Sequence, residues 1–350
     1  MFTTPIGHFD QREQLQELLG TRAEAAVTPV TLDDYKSWPR AQRRAFDMER
    51  SRRIADSIVI ITPALQQLKL AYRRAARVAH RPVGRTGIIL DGDPTTGKTT
   101  AALWVMGQAH AGHIDRHPRW KEDGHVPVVY LEIPPKCTGK MLMGRILNFF
   151  GEPVIPRMTL EERTRLVTDL FAKSHTSLVV FDEIQNLAQS SIAGRFESAQ
   201  AIKNLMNAVK AVPLYVGFNL ASSQFTNDEL GAQFAGRCPS VHLGKLDIST
   251  SDGRQVWGGV IMAFEKQLGL LAHPPQSLLE HAVYLWTRTR GSIAALSRLL
   301  TTAALDLIED GDPDAEFITK KLLDSVPLDL TSERLLSEAN AVAEGAGHAA

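Results

Sequence analysis

From Gly87 onward the chain alternates short apolar runs with amphipathic stretches. GIILD (87–91), VPVVYLEI (126–133), SLVVFD (177–182) and PLYVGF (213–218) are apolar at nearly every position. That is the pattern of strands buried on both faces. VHL (241–243) is a shorter run of the same kind. Helices are predicted between them: from Lys98 to about Ala109, over TGKMLMGRILNFF (138–150), from the T-x-x-E capping box of Thr159 and Glu162 to Lys173, from Ser198 to Lys210, and before Gly236. This βα alternation predicts a parallel sheet sandwiched by helices. After Asp247 the strands stop, and residues 253–269, 276–289, 291–310 and 314–324 read as helices with Trp286, Leu296 and Leu299 in their core. Upstream, Pro63-Ala-Leu-Gln-Gln-Leu opens a helix with Leu65, Leu68 and Tyr72 at helical spacing. The expected divisions are a helical arm over 1–85, an α/β core over 86–247, a helical lid over 248–326 and a flexible tail over 327–350.

Composition narrows the class without naming it. The 350 residues are 44% hydrophobic and 22% charged, with zero net charge, so no global field draws the chain to nucleic acid or to an anionic membrane. Any such binding needs a local patch. Residues 36–54 supply one candidate, with seven basic residues against Asp47 and Glu49; residues 69–85 supply another, with six and no acid. Either cluster can serve as a solvated helix face or as a phosphate-binding surface. Two cysteines in unrelated contexts, Cys137 and Cys238, suggest neither a disulfide framework nor a zinc ribbon. A reducing cytoplasm suits them. The first residues do not read as a signal peptide, and no apolar run approaches the ~18 residues of a membrane span.

The sharpest chemical signal is GDPTTGKT, Gly92 to Thr99, which fits G-x-x-x-x-G-K-[ST]. An apolar strand enters it and a helix leaves. The loop of Gly92, Asp93, Pro94, Thr95, Thr96 and Gly97 would curl its backbone N–H groups around a phosphate chain at the helix N-terminus. Lys98 would reach the β- and γ-phosphates, and the Thr99 hydroxyl, followed by Thr100, would bind Mg²⁺. The second half is LVVFDEIQN, where a buried strand ends in Asp182-Glu183 at the sheet edge that binds ligands. Asp182 would hold Mg²⁺, and Glu183 would orient and deprotonate an attacking water. A guanine site is not supported: Asp228-Glu-Leu-Gly231 and Gly244-Lys-Leu-Asp247 imitate its motifs but lie only about 16 residues apart. ATP hydrolysis is the better reading. Asn219 ends PLYVGF and reads either as a γ-phosphate sensor or as a turn residue. Arg237, between a helix and a strand, is placed to reach a neighbouring subunit's nucleotide.

This order of motifs resembles the AAA+ ATPases, and more narrowly TniB and its relatives TnsC and MuB, which regulate DNA transposition. The residues that carry the resemblance are IILDGDPTTGKTT, VPVVYLEIPP, LVVFDEIQN, LYVGFN, QFAGRCPSVHLGKL and RTRGSIAALSRLLTTAA, across roughly residues 50–325. The resemblance implies an AAA+ P-loop core with an all-helical C-terminal lid and a basic helical N-terminal arm. It implies ATP and Mg²⁺ as cofactors, slow hydrolysis stimulated by partner or DNA, a homo-oligomeric ring or helical filament on duplex DNA, and a transposase as partner. Two departures stand out. Relatives often carry Gly-Thr where this chain has Gly217-Phe-Asn219. In many AAA+ lids an arginine stands three residues after a glycine, where Gly291 is followed by Ala294; Arg288 or Arg290 could substitute.

Lys136, Lys140 and Arg145 follow the second strand, near the inner face of rings in this branch, and are candidates for backbone contacts with duplex DNA. His110, His113, His117 and His125 cluster at the end of the first core helix. Their spacing allows a metal, but a solvated polar loop is the simpler reading. A second functional reading is a nucleotide switch acting on protein partners in signalling or defence, without DNA.

Overall fold

The structure is a computed structural model. It describes residue 9 and residues 11–21, 30–56, 58–189, 192–220 and 236–328. The helix expected before Gly236 and nearly all of the expected tail lie outside these residues.

Five parallel strands form one sheet: β1 (Ile88–Gly92), β2 (Val128–Glu132), β3 (Leu178–Asp182), β4 (Val212–Gly217) and β5 (Ser240–Leu243), in the order β2-β3-β4-β1-β5. All residues of β1, β3 and β4 are buried, as their unbroken apolar runs predict. Register pairs Leu90 with Val216 and Val241, and Val180 with Tyr130 and Leu214. β1 therefore lies between β4 and β5, and the loop that leaves it stands beside the end of β4, with the end of β3 one strand further on. Parallel pairing requires crossovers. They are supplied by α5 (Lys98–Ile114), α6 (Gly139–Phe149), α7 (Leu160–Lys173) and α8 (Ile192–Ala208). Both halves of the Thr159–Glu162 capping box form at the start of α7.

The chain divides into two compact units, Met1–Glu24, Pro63–Pro94 and Lys98–Leu243 in one, Ala25–Thr62, Thr95–Gly97 and Gly244–Ala350 in the other. Residues 1–85 are thus shared out. In the first unit, α1 (Arg12–Thr21) packs on α5, and α4 (Pro63–Val78) lies on β1, β4 and β5. Leu65, Leu68, Ala71 and Ala75 form the buried face of α4, which leaves Arg73, Arg74 and Arg77 facing solvent.

In the second unit, α2 (Leu32–Ser37) and α3 (Arg40–Asp56) join the C-terminal helices α9 (Ser251–Leu268), α10 (Ala282–Thr289), α11 (Ile293–Asp310) and α12 (Lys320–Ser325). Ile54 and Ile60 lie in one core with Trp257, Ile261, Phe264, Leu296, Leu299 and Leu300; Trp286 packs on its side. The single helix expected over 276–289 begins instead as a 3-10 turn, Ser277–His281, preceded by Gln276 in a left-handed conformation (φ 67°) that keeps it out of the helix. The last helix is shorter than the expected 314–324.

Gly291 has its own steric reason. Its φ is 73°, and a Cβ there would fall 2.0 Å from the Leu246 carbonyl oxygen. The Leu246 N–H donates to the Gly291 carbonyl at 2.9 Å, so the approach of these two backbones admits only glycine.

Candidate functional site

β1 delivers Asp91 and Gly92 to the carboxyl edge of the sheet, where the loop Gly92 to Thr99 turns into α5. Thr95 and Gly97 have positive φ (64° and 89°), the conformations that curl this loop. Lys98 bends back: its ammonium donates to the carbonyls of Gly92 at 2.9 Å and Asp93 at 2.8 Å. Burial lowers the Lys98 pKa, while the charges of Glu183, Asp182, Asp91 and Asp93 act against that shift.

Asp182, at the end of β3, is 3% exposed, and its carboxylate is an organising centre. It accepts from the Tyr130 hydroxyl at 2.8 Å, from the Thr99 hydroxyl at 3.3 Å and from the Glu183 N–H at 2.8 Å. Burial first, then the charge of Asp182, raises the Tyr130 pKa far above the usual phenol range, so it stays a proton donor. Thr99 and Asp182 together present hard oxygen donors within one bond of each other, a donor set that fits Mg²⁺.

Glu183 follows in a left-handed conformation (φ 55°) and is half-buried. Its carboxylate accepts from the Gln185 amide. The same Gln185 side chain accepts the Phe218 N–H at 3.1 Å, which joins Glu183 to the end of β4. Asn219 stands just beyond, exposed and also left-handed (φ 54°). The Leu220 N–H donates to Asp91 at 3.0 Å, tying the turn after β4 back to β1. Asn186 completes the group by donating to the Ile133 carbonyl at 2.8 Å, which anchors the loop after β2.

Arg237 lies elsewhere. It is exposed and precedes β5, beside the start of β1 and β4, where it lines a small cavity of about 70 Å³ with Arg85, Lys203, Tyr215 and Cys238. That is the amino edge of the sheet, opposite the loop at Gly92. Lys136 is exposed and left-handed (φ 60°), while the Lys140 ammonium donates to the Pro156 carbonyl at 3.2 Å and is half-buried; Arg145 is half-buried as well. Arg288 is buried within the helical unit and donates to the carbonyls of Leu323 and Val326 at 3.1 Å each, so its guanidinium is committed there.

The histidines come together more closely than their spacing suggests. His113 Nε2 and His125 Nδ1 are 2.9 Å apart, and the ring of His117 lies 4.5 Å from that of His113. His175, which the spacing does not point to, lies with its ring centre 4.2 Å from that of His125, tilted by 36°, where it turns the chain out of α7 with φ 51°. His110 stands apart, against Trp120. Burial pushes His110 and His113 down to about 4. Among the described residues no three His, Cys, Asp or Glu groups converge as a metal-ligand set.

Sequence reasoning misses Tyr130, Gln185, Asn186 and Asp91. Tyr130 reads as one more strand residue, and only its register opposite Val180, two residues before Asp182, brings its hydroxyl to the site. Gln185 and Asn186 belong to LVVFDEIQN, yet nothing local says what an amide there will reach.

A family model described as bacterial TniB protein matches residues 62–247. No curated protein matches the chain. Among solved structures, the Aeropyrum pernix ORC2 protein in its ADPNP–ADP complexes is 14% identical with a TM-score of 0.53, over 79% of this chain and 71% of that one. The ADP form of ORC2 from the same organism gives 16% and 0.53, over 82% and 72%. The Aeropyrum pernix ORC1 protein in complex with DNA gives 14% and 0.52, over 76% of this chain and 65% of that one. At such identities the likeness is one of fold, the AAA+ type.

Proposed function

The chain belongs to the bacterial TniB protein family, and from that premise we propose that it binds ATP with Mg²⁺, hydrolyses it, and uses the cycle to time an oligomeric assembly on duplex DNA that regulates transposition. The observation that carries the chemistry is the convergence of Lys98, Thr99, Asp182 and Glu183 at one strand edge. In this reading the N–H groups of the loop from Gly92 to Thr100 and the Lys98 ammonium bind the phosphates. Lys98 exchanges the carbonyls of Gly92 and Asp93 for them. Thr99 and Asp182 hold Mg²⁺, which supplies charge neutralisation at the phosphates when bound. Glu183 takes a proton from the attacking water. Asn219, between the phosphate loop and Glu183 along the sheet edge, senses the γ-phosphate. The Aeropyrum pernix chains of like fold were solved with adenine nucleotides and with DNA, in keeping with this reading.

The DNA contacts proposed are with the backbone. Favouring this are the exposed arginines of α4, together with Lys136 and, through a half-buried stem, Lys140 and Arg145. A transposase as partner follows from the family. Among the described residues no single helix is long and apolar enough to cross a membrane.

The deciding experiment titrates a labelled duplex with the full chain, with and without ATP and Mg²⁺. Binding should require ATP and weaken as salt rises. Glu183→Gln should bind ATP normally, lose about 100-fold or more in turnover, and stay on the duplex. Absence of DNA binding at low salt would sink the DNA part. ATP-dependent self-association without DNA would instead support the second reading, a nucleotide switch acting on protein partners.

A further inference from the structure

The Glu183 carboxylate does not face solvent alone. Gln185, two residues on in the 3-10 turn Ile184–Gln189, donates its amide to Glu183 Oε2. Its carbonyl oxygen accepts the backbone N–H of Phe218 at 3.1 Å. One side chain therefore spans from the end of β3 to the end of β4, with its donor on the acid and its acceptor on the strand. An amide is suited to this, because its NH2 donates while its carbonyl oxygen, a separate atom, accepts.

The neighbouring strand makes room for the bridge. A Cβ at Gly217 would lie 2.3 Å from Gln185 Oε1, closer than any side chain tolerates. The next nearest atom, Leu220 Cδ2, is 2.9 Å away; both atoms end flexible side chains, and the amide is the closer. An alanine at Gly217 must therefore displace the Gln185 amide, and Leu220 with it. Phe218, whose N–H donates to the bridge, is directly followed by Asn219 in its left-handed turn.

We propose that Gln185 is a positioning residue that holds the Glu183 carboxylate in register and couples it to the end of β4, so that engagement of Asn219 is felt at Glu183. This rests on the reading of Glu183 as the group that activates water. Gln185 fixes Oε2 and leaves Oε1 to receive the proton. A shift of the β4 end moves Phe218 N, the amide follows, and the carboxylate turns with it.

The test measures nucleotide affinity, KM and kcat for phosphate release, with ATP alone and with duplex DNA present, using the full chain. Gln185→Ala should lower kcat about tenfold or more while leaving nucleotide affinity within about twofold. Gln185→Glu, which keeps the shape but removes the donor and sets a like charge beside Glu183, should be at least as slow. Gly217→Ala should expel the bridge and reproduce the Gln185→Ala loss, and the double variant should be no slower than either alone. If Gly217→Ala does not fold, the two Gln185 variants decide. Turnover of Gln185→Ala and Gln185→Glu at the wild-type rate, with Glu183→Gln inactive, would overturn the coupling and leave the hydrolysis reading standing. Turnover of Glu183→Gln at the wild-type rate would remove the base and the coupling together. Additive losses in the double variant would also overturn it, because independent sites add.

Discussion

Arg50 and Glu316 are far apart in the chain and meet inside the helical unit, with side chains 2% and 3% exposed. Arg50 also reaches Asp47 at 2.8 Å, and Glu316 accepts the Leu271 N–H at 2.9 Å. Burial lowers the Arg50 pKa, and the bonds and charges of Glu316 and Asp47 more than reverse this, so the guanidinium stays charged. Such a pair gives little net stability, but each half is costly to leave alone. Arg50→Ala or Glu316→Ala should therefore destabilise the fold by about 3–5 kcal/mol. Replacing both with apolar residues should cost less than the two single changes summed, as denaturant unfolding of all three variants will show; additive losses would mean that the two do not depend on each other. From sequence, Arg50 is one of seven basic residues in a run, and no spacing identifies Glu316 as its partner. The same holds for Tyr130 and Gln185. Lys98, Thr99, Asp182 and Glu183 can be picked out because their chemistry is written in contiguous motifs, whereas these residues act through partners that only the fold brings near.

At the level of elements, what can be read in advance tracks burial. β1, β3 and β4 are buried throughout and their apolar runs are unbroken, so their identity as strands is plain, whereas their order in the sheet comes only from the structure. The two basic helices differ in density, six arginines in the 17 residues of α3 against three in the 16 of α4, but pattern alone does not say which arginines are engaged. The structure separates them in part by what the arginines meet, although Arg40 and Arg44 of α3 are also exposed and, among the described residues, join no ion pair. On α3, Arg50 is buried in its ion pairs, Arg52 pairs with Glu49 at 2.8 Å, and Arg43 lies 5.8 Å from the Tyr35 ring centre. On α4, Arg73, Arg74 and Arg77 are exposed, and among the described residues none of them joins an ion pair. Charges already neutralised within the protein release few counterions from DNA, and free ones release more. Replacing Arg73, Arg74 and Arg77 with Ala should then weaken duplex binding across unrelated sequences. It should also flatten the dependence of log affinity on log salt by about 0.9 for each phosphate no longer neutralised. Arg52→Ala should change neither quantity. Equal effects from both sets, in titrations at three or more salt concentrations, would move the DNA surface away from α4.

For the molecule as a whole, the question is whether the candidate site is complete in one chain. The loop at Gly92 leaves the carboxyl end of β1, and Arg237 stands at the amino end of β5, beside the start of β1. Five residues of strand separate these edges by roughly 16 Å, beyond the reach of an arginine side chain that must also turn the sheet edge. Arg237 is therefore out of reach of a nucleotide held by its own loop; if it completes a nucleotide site, that site belongs to a second copy. An interface of this kind joins unlike surfaces, so it builds rings or open filaments rather than a closed pair. Subunit mixing tests the arrangement. Lys98→Ala disables the loop but keeps Arg237, and Arg237→Ala keeps the loop but lacks the arginine; each alone should be nearly inactive. In a random equimolar mixture about a quarter of the interfaces join an intact loop to an intact arginine, so turnover should reappear in the mixture. A mixture as inactive as its components would mean that Arg237 does not complete a neighbour's site. Full turnover by Arg237→Ala alone would mean that it completes none. Recovery on mixing would make assembly a condition of hydrolysis.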